Sequence, residues 1–397
     1  MGGMRRLRIL QIFSRYIHFG GEEGSVFRIG DALQQNHDAE YFIGSTNELL
    51  GRDFMDRISA PFRAFHNLPV AQRLRRYQEV GKFDLWQVHN VLPGLSPSVY
   101  QTAFELKIPL VHYLHNYRMA CTNGFFLNHG QPCERCLHGN FWPAFQTACW
   151  RDSHLISGMM GIILRHVRSI GTFQNTAAWV ALSHSQKAKH VQMGIPEKRI
   201  HVIPHFYEPE VAAPPASPNG DVLFLGRLSP EKGVHILLQA WKLLQSGDRK
   251  LIIAGTGPEE PKLRALATAL ALKTVEFTGF IKPEDQKRYW SQSAFFVAPS
   301  IWDEPFGMVI LEAWANARAV VGFKKGSFPE LIADGIDGAL ALQVTPQALA
   351  DKMQHLIDHP ELSVRWGQAG FTKLGSLSTK ASWLSRIESV YETILPS

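Results

Sequence analysis

Short β-branched or aromatic runs alternate along this chain with stretches of helical pattern, and that alternation constrains the fold most. It calls for parallel sheets in which each strand returns to the next through a helix. Residues 7–13 read as a first strand and 24–35 as its helix, with later strands of the same sheet at 85–89, 109–114 and 178–182. A second series begins at 221–226 and continues at 250–254, 275–277, 294–298 and 319–322. Between the two series, Pro209, Pro214, Pro215 and Pro218 crowd one short segment, which can continue neither a helix nor a central strand. With 397 residues the chain is comfortable for two domains of about 200 residues each. The expected fold class is α/β: two doubly wound parallel-sheet domains, 1–207 and 221–375, joined by a linker at 208–220 and facing a cleft that holds the site. Residues 376–397 read as largely helical.

Composition narrows the classes. Hydrophobic residues at 45% and charged residues at 19% are ordinary for a globular chain and exclude disorder as the main state. The longest apolar stretch, 155–164, is broken by Ser157, Gly158 and Gly161. A membrane span needs roughly 20 apolar residues, so no transmembrane helix is expected. The basic start leads into too short an apolar run for a secretory leader, so a cytoplasmic protein is expected. Charge is uneven: residues 1–205 hold 22 Lys+Arg against 14 Asp+Glu, and the rest hold 19 against 21. Uneven surface decoration accounts for this, and so does an anionic surface met by the first half.

The sharpest chemical signal lies in the second half. Glu304 follows the strand at 294–298, and Glu312 falls about one and a half turns into a helix expected to begin near Phe306 or Gly307. A helix start offers unpaired backbone N–H groups and a positive dipole end, which suits a diphosphate. Carboxylates beside it suit sugar hydroxyls, which need acceptors at fixed positions. By spacing alone, Glu304 reads first as a helix cap and Glu312 as a solvated helix residue. Gly226-Arg227-Leu228-Ser229-Pro230-Glu231-Lys232-Gly233 follows the first strand of this domain, where Gly226 permits close backbone approach and Arg227 with Lys232 can neutralise a diphosphate. Gly255-Thr256-Gly257-Pro258 occupies the same place after the next strand. The chain carries neither the dinucleotide G-x-G-x-x-G after its first strand nor a P-loop.

Together with Phe328-Pro329-Glu330-Leu331-Ile332, these motifs resemble, in order, those of the family 4 glycosyltransferases, and the likeness covers most of the chain. The resemblance implies two Rossmann-like domains facing a cleft (the GT-B type), an acceptor-binding N-terminal domain and a donor-binding C-terminal one. It also implies a last helix that packs back on the first domain. It implies transfer of a sugar from a nucleoside-diphosphate sugar with retention of configuration, by front-face attack without a covalent enzyme intermediate. Carried over by position, Arg227 and Lys232 hold the donor diphosphate, and Glu304 contacts the donor sugar. Glu312 binds the ribose, and backbone groups of Phe306, Gly307 and Met308 help with sugar or phosphate. Gly226, Gly255 and Gly257 line the donor site, and Phe280 and Ile281 belong to the segment that reads the nucleobase. With two cations and a helix start for the leaving diphosphate, no cofactor is required for catalysis.

In the N-terminal half, Gly20-Gly21-Glu22-Glu23-Gly24 reads as a flexible turn before the first helix. It resembles the family's glycine-rich loop, with Gly21 and Glu23 at donor-binding positions and Glu22 where a small residue is usual. His115, at the end of the strand at 109–114, resembles the family histidine that reaches the donor sugar. His112 falls on the opposite face of that strand, and His89-Asn90 lines the same sheet edge.

All four cysteines, Cys121, Cys133, Cys136 and Cys149, fall in an insertion at 119–150 rich in Gly, Asn, His and aromatic residues. A four-thiolate structural zinc site is one reading and four reduced thiols the other; the spacing is not that of paired C-x-x-C knuckles. The expected partners are a nucleoside-diphosphate sugar and a hydroxyl acceptor on a glycan, a lipid-linked carrier or a small molecule. Arg63, Arg73, Arg75, Arg76 and Lys82 among apolar residues, and Arg165 with Arg168, suit the inner face of an anionic membrane as a peripheral surface or are simply solvated helix faces. No nucleic-acid module is present, and no nucleic acid is expected. The rival readings are a non-catalytic sugar-nucleotide-binding protein and a nucleotide-sugar epimerase on a similar fold.

Overall fold

The computed structural model describes residues 5–15, 21–45, 63–208, 217–377 and 379–395. Gly20 of the glycine-rich loop and residues 209–216 of the proline-rich linker lie outside them. The chain divides into two compact units: one runs to Pro204 and resumes at Ala381, the other spans His205–Lys380.

The first unit is built on a six-stranded parallel sheet of β1 (Arg8–Arg15), β2 (Asp38–Ser45), β3 (Leu85–Val88), β4 (Leu110–Tyr113), β7 (Ala178–Ala181) and β8 (Ile200–Val202). Its order is β2-β1-β3-β4-β7-β8. β5 (Leu127–Asn128) and β6 (Gln131–Pro132) form a separate short hairpin in the insertion. β3, β4 and β7 are buried at every position, as apolar strands covered on both faces by helices must be. The sheet order reverses between β1 and β3, so the crevice beyond their carboxyl ends is the expected ligand position in this unit.

The last helix, Lys380–Ile394, adds to the same unit. Trp383 is fully buried and donates its indole N–H to the Tyr113 hydroxyl at 2.9 Å. Tyr391 donates to Gln87 Oε1 at 2.6 Å, and Glu388 lies 3.3 Å from His37. These contacts tie residues far apart in sequence into one core.

The second unit carries β9 (Asp221–Leu225), β10 (Leu251–Ala254), β11 (Val275–Gly279), β12 (Ser293–Ala298), β13 (Ala319–Phe323) and β14 (Gly338–Ala341). All its pairings are parallel and the order is β11-β10-β9-β12-β13-β14. The connections leave β9 in one direction and β12 in the other, which makes the carboxyl ends of these two neighbours the switch point. Local chemistry sets the helix starts here. Thr345 caps the Pro346–Asp358 helix by accepting from Ala348 N at 3.2 Å, with proline where no N–H is needed.

The start of the first helix differs from the sequence reading. The first helix spans Gly21–Leu33, so Gly21 to Gly24 form its first turn and not a loop before it. Glu22 and Glu23 in that turn complement the positive end of the helix, which favours the earlier start. Residues 376–397 are largely helical, as expected, through the helix Lys380–Ile394, which follows Pro360–Leu377.

Candidate functional site

At the switch point of the second unit, the loop after β9 meets the loop after β12. Lys232, at the end of the 3₁₀ turn Pro230–Lys232, places its Nζ 2.5 Å from Glu304 Oε1. The Ser300 hydroxyl donates to the same oxygen at 2.9 Å, and Glu304 is only 6% exposed. The Glu304 carboxylate therefore has its charge and one oxygen satisfied by protein groups from both loops. Lys232 also lies over the Trp302 ring, 5.8 Å from its centroid.

Arg227, after β9, is held in turn by Glu231. Its Nη2 donates to Glu231 Oε1 at 2.7 Å, and Ser229 donates to that same oxygen at 2.6 Å. Burial alone would raise the Glu231 pKa. The Arg227 charge, the Ser229 hydroxyl and the Lys232 charge outweigh it and hold the carboxyl below its ordinary value. The Ile301 N–H donates to the Glu231 carbonyl at 2.9 Å, so the β12 loop is fastened to the turn that presents Arg227 and Lys232.

The glycines after β9 and β10 have a local reason. Gly255 sits at φ 138°, and a Cβ there would stand 1.9 Å from the Gly226 carbonyl oxygen. A Cβ on Gly257 would meet the Leu228 carbonyl at 2.2 Å. These two loops pack backbone against backbone, closer than any side chain permits.

Glu304 does not cap the following helix. Gly307, at φ 90°, is the residue before Met308–Ala315, in a conformation glycine adopts without steric cost. Phe306 is buried edge-on to His205, and Glu312 lies partly exposed in the helix. Phe280, 67% exposed, and buried Ile281 follow β11 at the outer edge of the same sheet end.

In the first unit, Gly21 opens the helix after β1, and Glu23 pairs with Arg15 at 2.7 Å. His115 lies two residues beyond β4, with its Nε2 2.8 Å from His89 Nδ1. His89 Nε2 is 2.6 Å from Gln11 Oε1, which also accepts from Gln87 at 3.2 Å. An amide oxygen only accepts, so His89 carries its proton on Nε2 and accepts at Nδ1. His115 then donates from Nε2 and presents Nδ1 as an acceptor. Burial lowers the His115 pKa to about 3, so the ring is neutral near pH 7. Of this relay, which ends at Tyr391 of the last helix, the sequence pointed to His115 and His89 and to no other member. Its members are distant in sequence and meet only across the sheet. His112 packs between Tyr100 and Trp179 and lines the same cavity as His115, and burial lowers its pKa to about 3 as well. A cavity of about 10 Å³ is lined by residues including Asn90, His112, His115, Asn116 and Arg118.

The four cysteines form no disulfide. Cys121, Cys133, Cys136 and Cys149 all line a second cavity of about 10 Å³. Burial pushes the thiols of Cys121 and Cys149 up and that of Cys136 up to about 12. Among the described residues, no three His, Cys, Asp or Glu side chains stand in metal-holding geometry.

Two doubly wound parallel sheets, each with its own switch point, define the class: a glycosyltransferase fold of the GT-B type. Solved structures agree. Anabaena Alr3699/HepE, in complex with UDP and glucose, matches with a TM-score of 0.70 at 18% identity, over 98% of this chain and 100% of that one. Sucrose-phosphate synthase from Thermosynechococcus elongatus matches with a TM-score of 0.71 at 17% identity, over 98% and 99%. Residues 19–211 match the model described as "Glycosyltransferase Family 4", and residues 212–373 match "Glycosyl transferases group 1". The chain belongs to glycosyltransferase family 4.

Among curated relatives, alpha-D-kanosaminyltransferase of Streptomyces kanamyceticus is 35% identical over 37% of this chain and 39% of its own length. O-antigen chain mannosyltransferase C of Escherichia coli is 29% identical over 44% and 47%. The matched stretches thus span less than half of either relative. No helix among the described residues is long and apolar enough to cross a membrane.

Proposed function

We propose that this protein transfers a sugar, with retention of anomeric configuration, from a nucleoside-diphosphate sugar to a hydroxyl acceptor. The observation that carries this reading is the Lys232–Glu304 pair at the β9/β12 switch point, beside the start of the Met308–Ala315 helix. Lys232 has three N–H donors, so it can keep Glu304 oriented and still meet a phosphate oxygen. Arg227, with its side chain 48% exposed and anchored by Glu231, supplies the second cation for the diphosphate.

On this reading Glu304 accepts from the sugar hydroxyls and Glu312 from the ribose. Backbone groups of Phe306, Gly307 and Met308 bind sugar or phosphate, and Phe280 with Ile281 flank the base. Gly226, Gly255 and Gly257 keep the loop backbones close, leaving the donor a shallow floor. Gly21, Glu23 and neutral His115 in the first unit serve the donor sugar and acceptor, a role that rests on family membership. Charge on the departing diphosphate is stabilised by fixed cations and helix N–H groups, without a covalent enzyme intermediate and without an obligatory metal. The structures of Anabaena HepE with UDP and with UDP-glucose favour a nucleotide-sugar donor.

The acceptor side suits a polysaccharide or glycolipid pathway at the cytoplasmic face of a membrane. Leu68 and Val80 are exposed on the helix that carries Arg73, Arg75 and Arg76, and Leu155 and Ile162 on the helix that carries Arg165. Binding to anionic vesicles in a flotation assay is expected; none would remove the membrane from the proposal. For the chemistry, Glu304→Ala should reduce transfer by roughly tenfold or more, about 1.4 kcal/mol of barrier. Wild-type transfer in that variant would sink the assignment. Binding of sugar nucleotide without turnover would favour a non-catalytic binding protein, and altered sugar without transfer an epimerase.

A further inference from the structure

The transfer chemistry leaves the 119–150 insertion without a role. It contains little regular structure: two two-residue strands and a five-residue helix, Trp142–Gln146. Phe126, His129 and Ala148, with Arg151 and Asp152 just beyond, all adopt positive φ between 47° and 57°. Non-glycine residues persist there only where the surroundings hold them.

Four sulfurs from separate points of this segment converge on one cavity of about 10 Å³, room for a single water-sized sphere or ion. Hydrogen-bonding groups face each sulfur, and the Cys121 thiol itself donates to Asn123 Oδ1 at 3.0 Å. Backbone N–H groups of Asn123, Gly124 and Phe126 face Cys121, and that of Ala144 faces Cys136. Arg135 Nε lies 3.4 Å from Cys133, and the Thr122 hydroxyl lies 2.9 Å from Cys149. Neutral thiols are weak acceptors, whereas thiolates require donors of this kind. Burial favours the neutral thiol at Cys121, Cys136 and Cys149, so four thiolates together there demand a cation.

We infer that Cys121, Cys133, Cys136 and Cys149 form a four-thiolate site for one zinc ion that clamps the 119–150 segment. Four soft ligands without carboxylate or water suit zinc in tetrahedral coordination and leave no open position for catalysis. The sulfurs must draw in on the ion, because no three of them stand in metal-holding geometry in the described conformation. Each thiol that binds releases its proton to solvent. The clamp reaches the cavity beside His115 through Arg118, which donates to the Thr122 carbonyl and lies over the Trp150 ring. The site is independent of the transfer reading.

The test uses the full chain purified without an affinity-metal step. About one equivalent of zinc should be found, with all four thiols protected from alkylation until a chelator and denaturant are added. Cobalt replacement should give sulfur-to-cobalt charge-transfer absorption and the ligand-field bands of a tetrahedral thiolate site. The Cys133→Ser/Cys149→Ser variant, changed at the two less buried positions, should lose the zinc. If that variant fails to fold, the wild-type stoichiometry and cobalt spectrum still decide. Less than about a tenth of an equivalent of zinc, together with no charge-transfer band, overturns the proposal. So does a cysteine pair found as a disulfide, or four thiols that react freely in the native protein.

Discussion

At the scale of single residues, the charged groups at the β9/β12 switch point come in pairs. Glu304 is kept by Lys232 and Ser300, and Arg227 by Glu231 and Ser229. Residue type and loop position made Arg227, Lys232 and Glu304 candidates in the sequence. Their pairing was not visible there, because Lys232 and Glu304 are 72 positions apart and meet only where β9 and β12 adjoin. Glu231 was accessible in principle, since it follows Arg227 by four residues in a turn that brings such pairs together.

The pairing gives Lys232→Met a defined cost. It leaves the Glu304 carboxylate, 8% exposed, without its cation. Removing one partner of a fully enclosed pair costs about 3–5 kcal/mol. The Lys232 side chain is 24% exposed, which lowers the expectation to about 2 kcal/mol. Chemical denaturation of the variant should show that loss, and Glu304→Gln added to Lys232→Met should recover part of it.

At the scale of elements, the loops after β9 and β10 depend on backbone contact. Gly255→Ala would drive a methyl into the Gly226 carbonyl and force a residue with a Cβ to φ 138°. A destabilisation of about 1–3 kcal/mol is expected, with weaker donor binding because Arg227 follows the displaced carbonyl. Gly247→Ala is a useful control, since its Cβ would meet nothing within 4 Å although it also has positive φ. In the two six-stranded sheets, the strands missed in the sequence were β2, β8 and β14, each at a sheet edge. β2 reads Asp-Ala-Glu-Tyr-Phe-Ile-Gly-Ser, β8 has three residues, and β14 is Gly-Ala-Leu-Ala without a β-branched side chain. Edge strands do not need two apolar faces, so they lack the continuous run that marked the central strands. The glycines at the first helix misled for a related reason. Gly21 and Gly24 suggest a loop, while the acidic first turn favours a helix start.

At the scale of the whole molecule, each unit closes its own sheet, and the last helix returns the chain to the first unit. That unit also stores a pH dependence. His112 and His190 are buried and His115 is partly buried, and desolvation lowers their pKa values to about 3, 4 and 3 from the ordinary 6.5. The unfolded chain takes up these protons first as pH falls. Stability is therefore full above about pH 6.5 and is lost progressively as pH drops towards 3–4, by up to about 1.4 kcal/mol per pH unit for each histidine. The midpoint of thermal unfolding should be lower at pH 5 than at pH 7.5; equal midpoints would mean that the three rings are protonated without penalty. Two sheets with helices between their strands, and the loops that carry the charges, were legible in the sequence because parallel strands and glycine turns leave strong local patterns. The histidine relay and the ion pairs required three dimensions.

The central claim is retaining transfer from a sugar nucleotide at the β9/β12 switch point. Proton NMR of the freshly formed product, with UDP-, GDP- and ADP-sugars offered in turn, tests it most directly. The account predicts one accepted donor whose anomeric configuration is preserved in the product and whose transfer collapses in Glu304→Ala. A product of inverted configuration would contradict it.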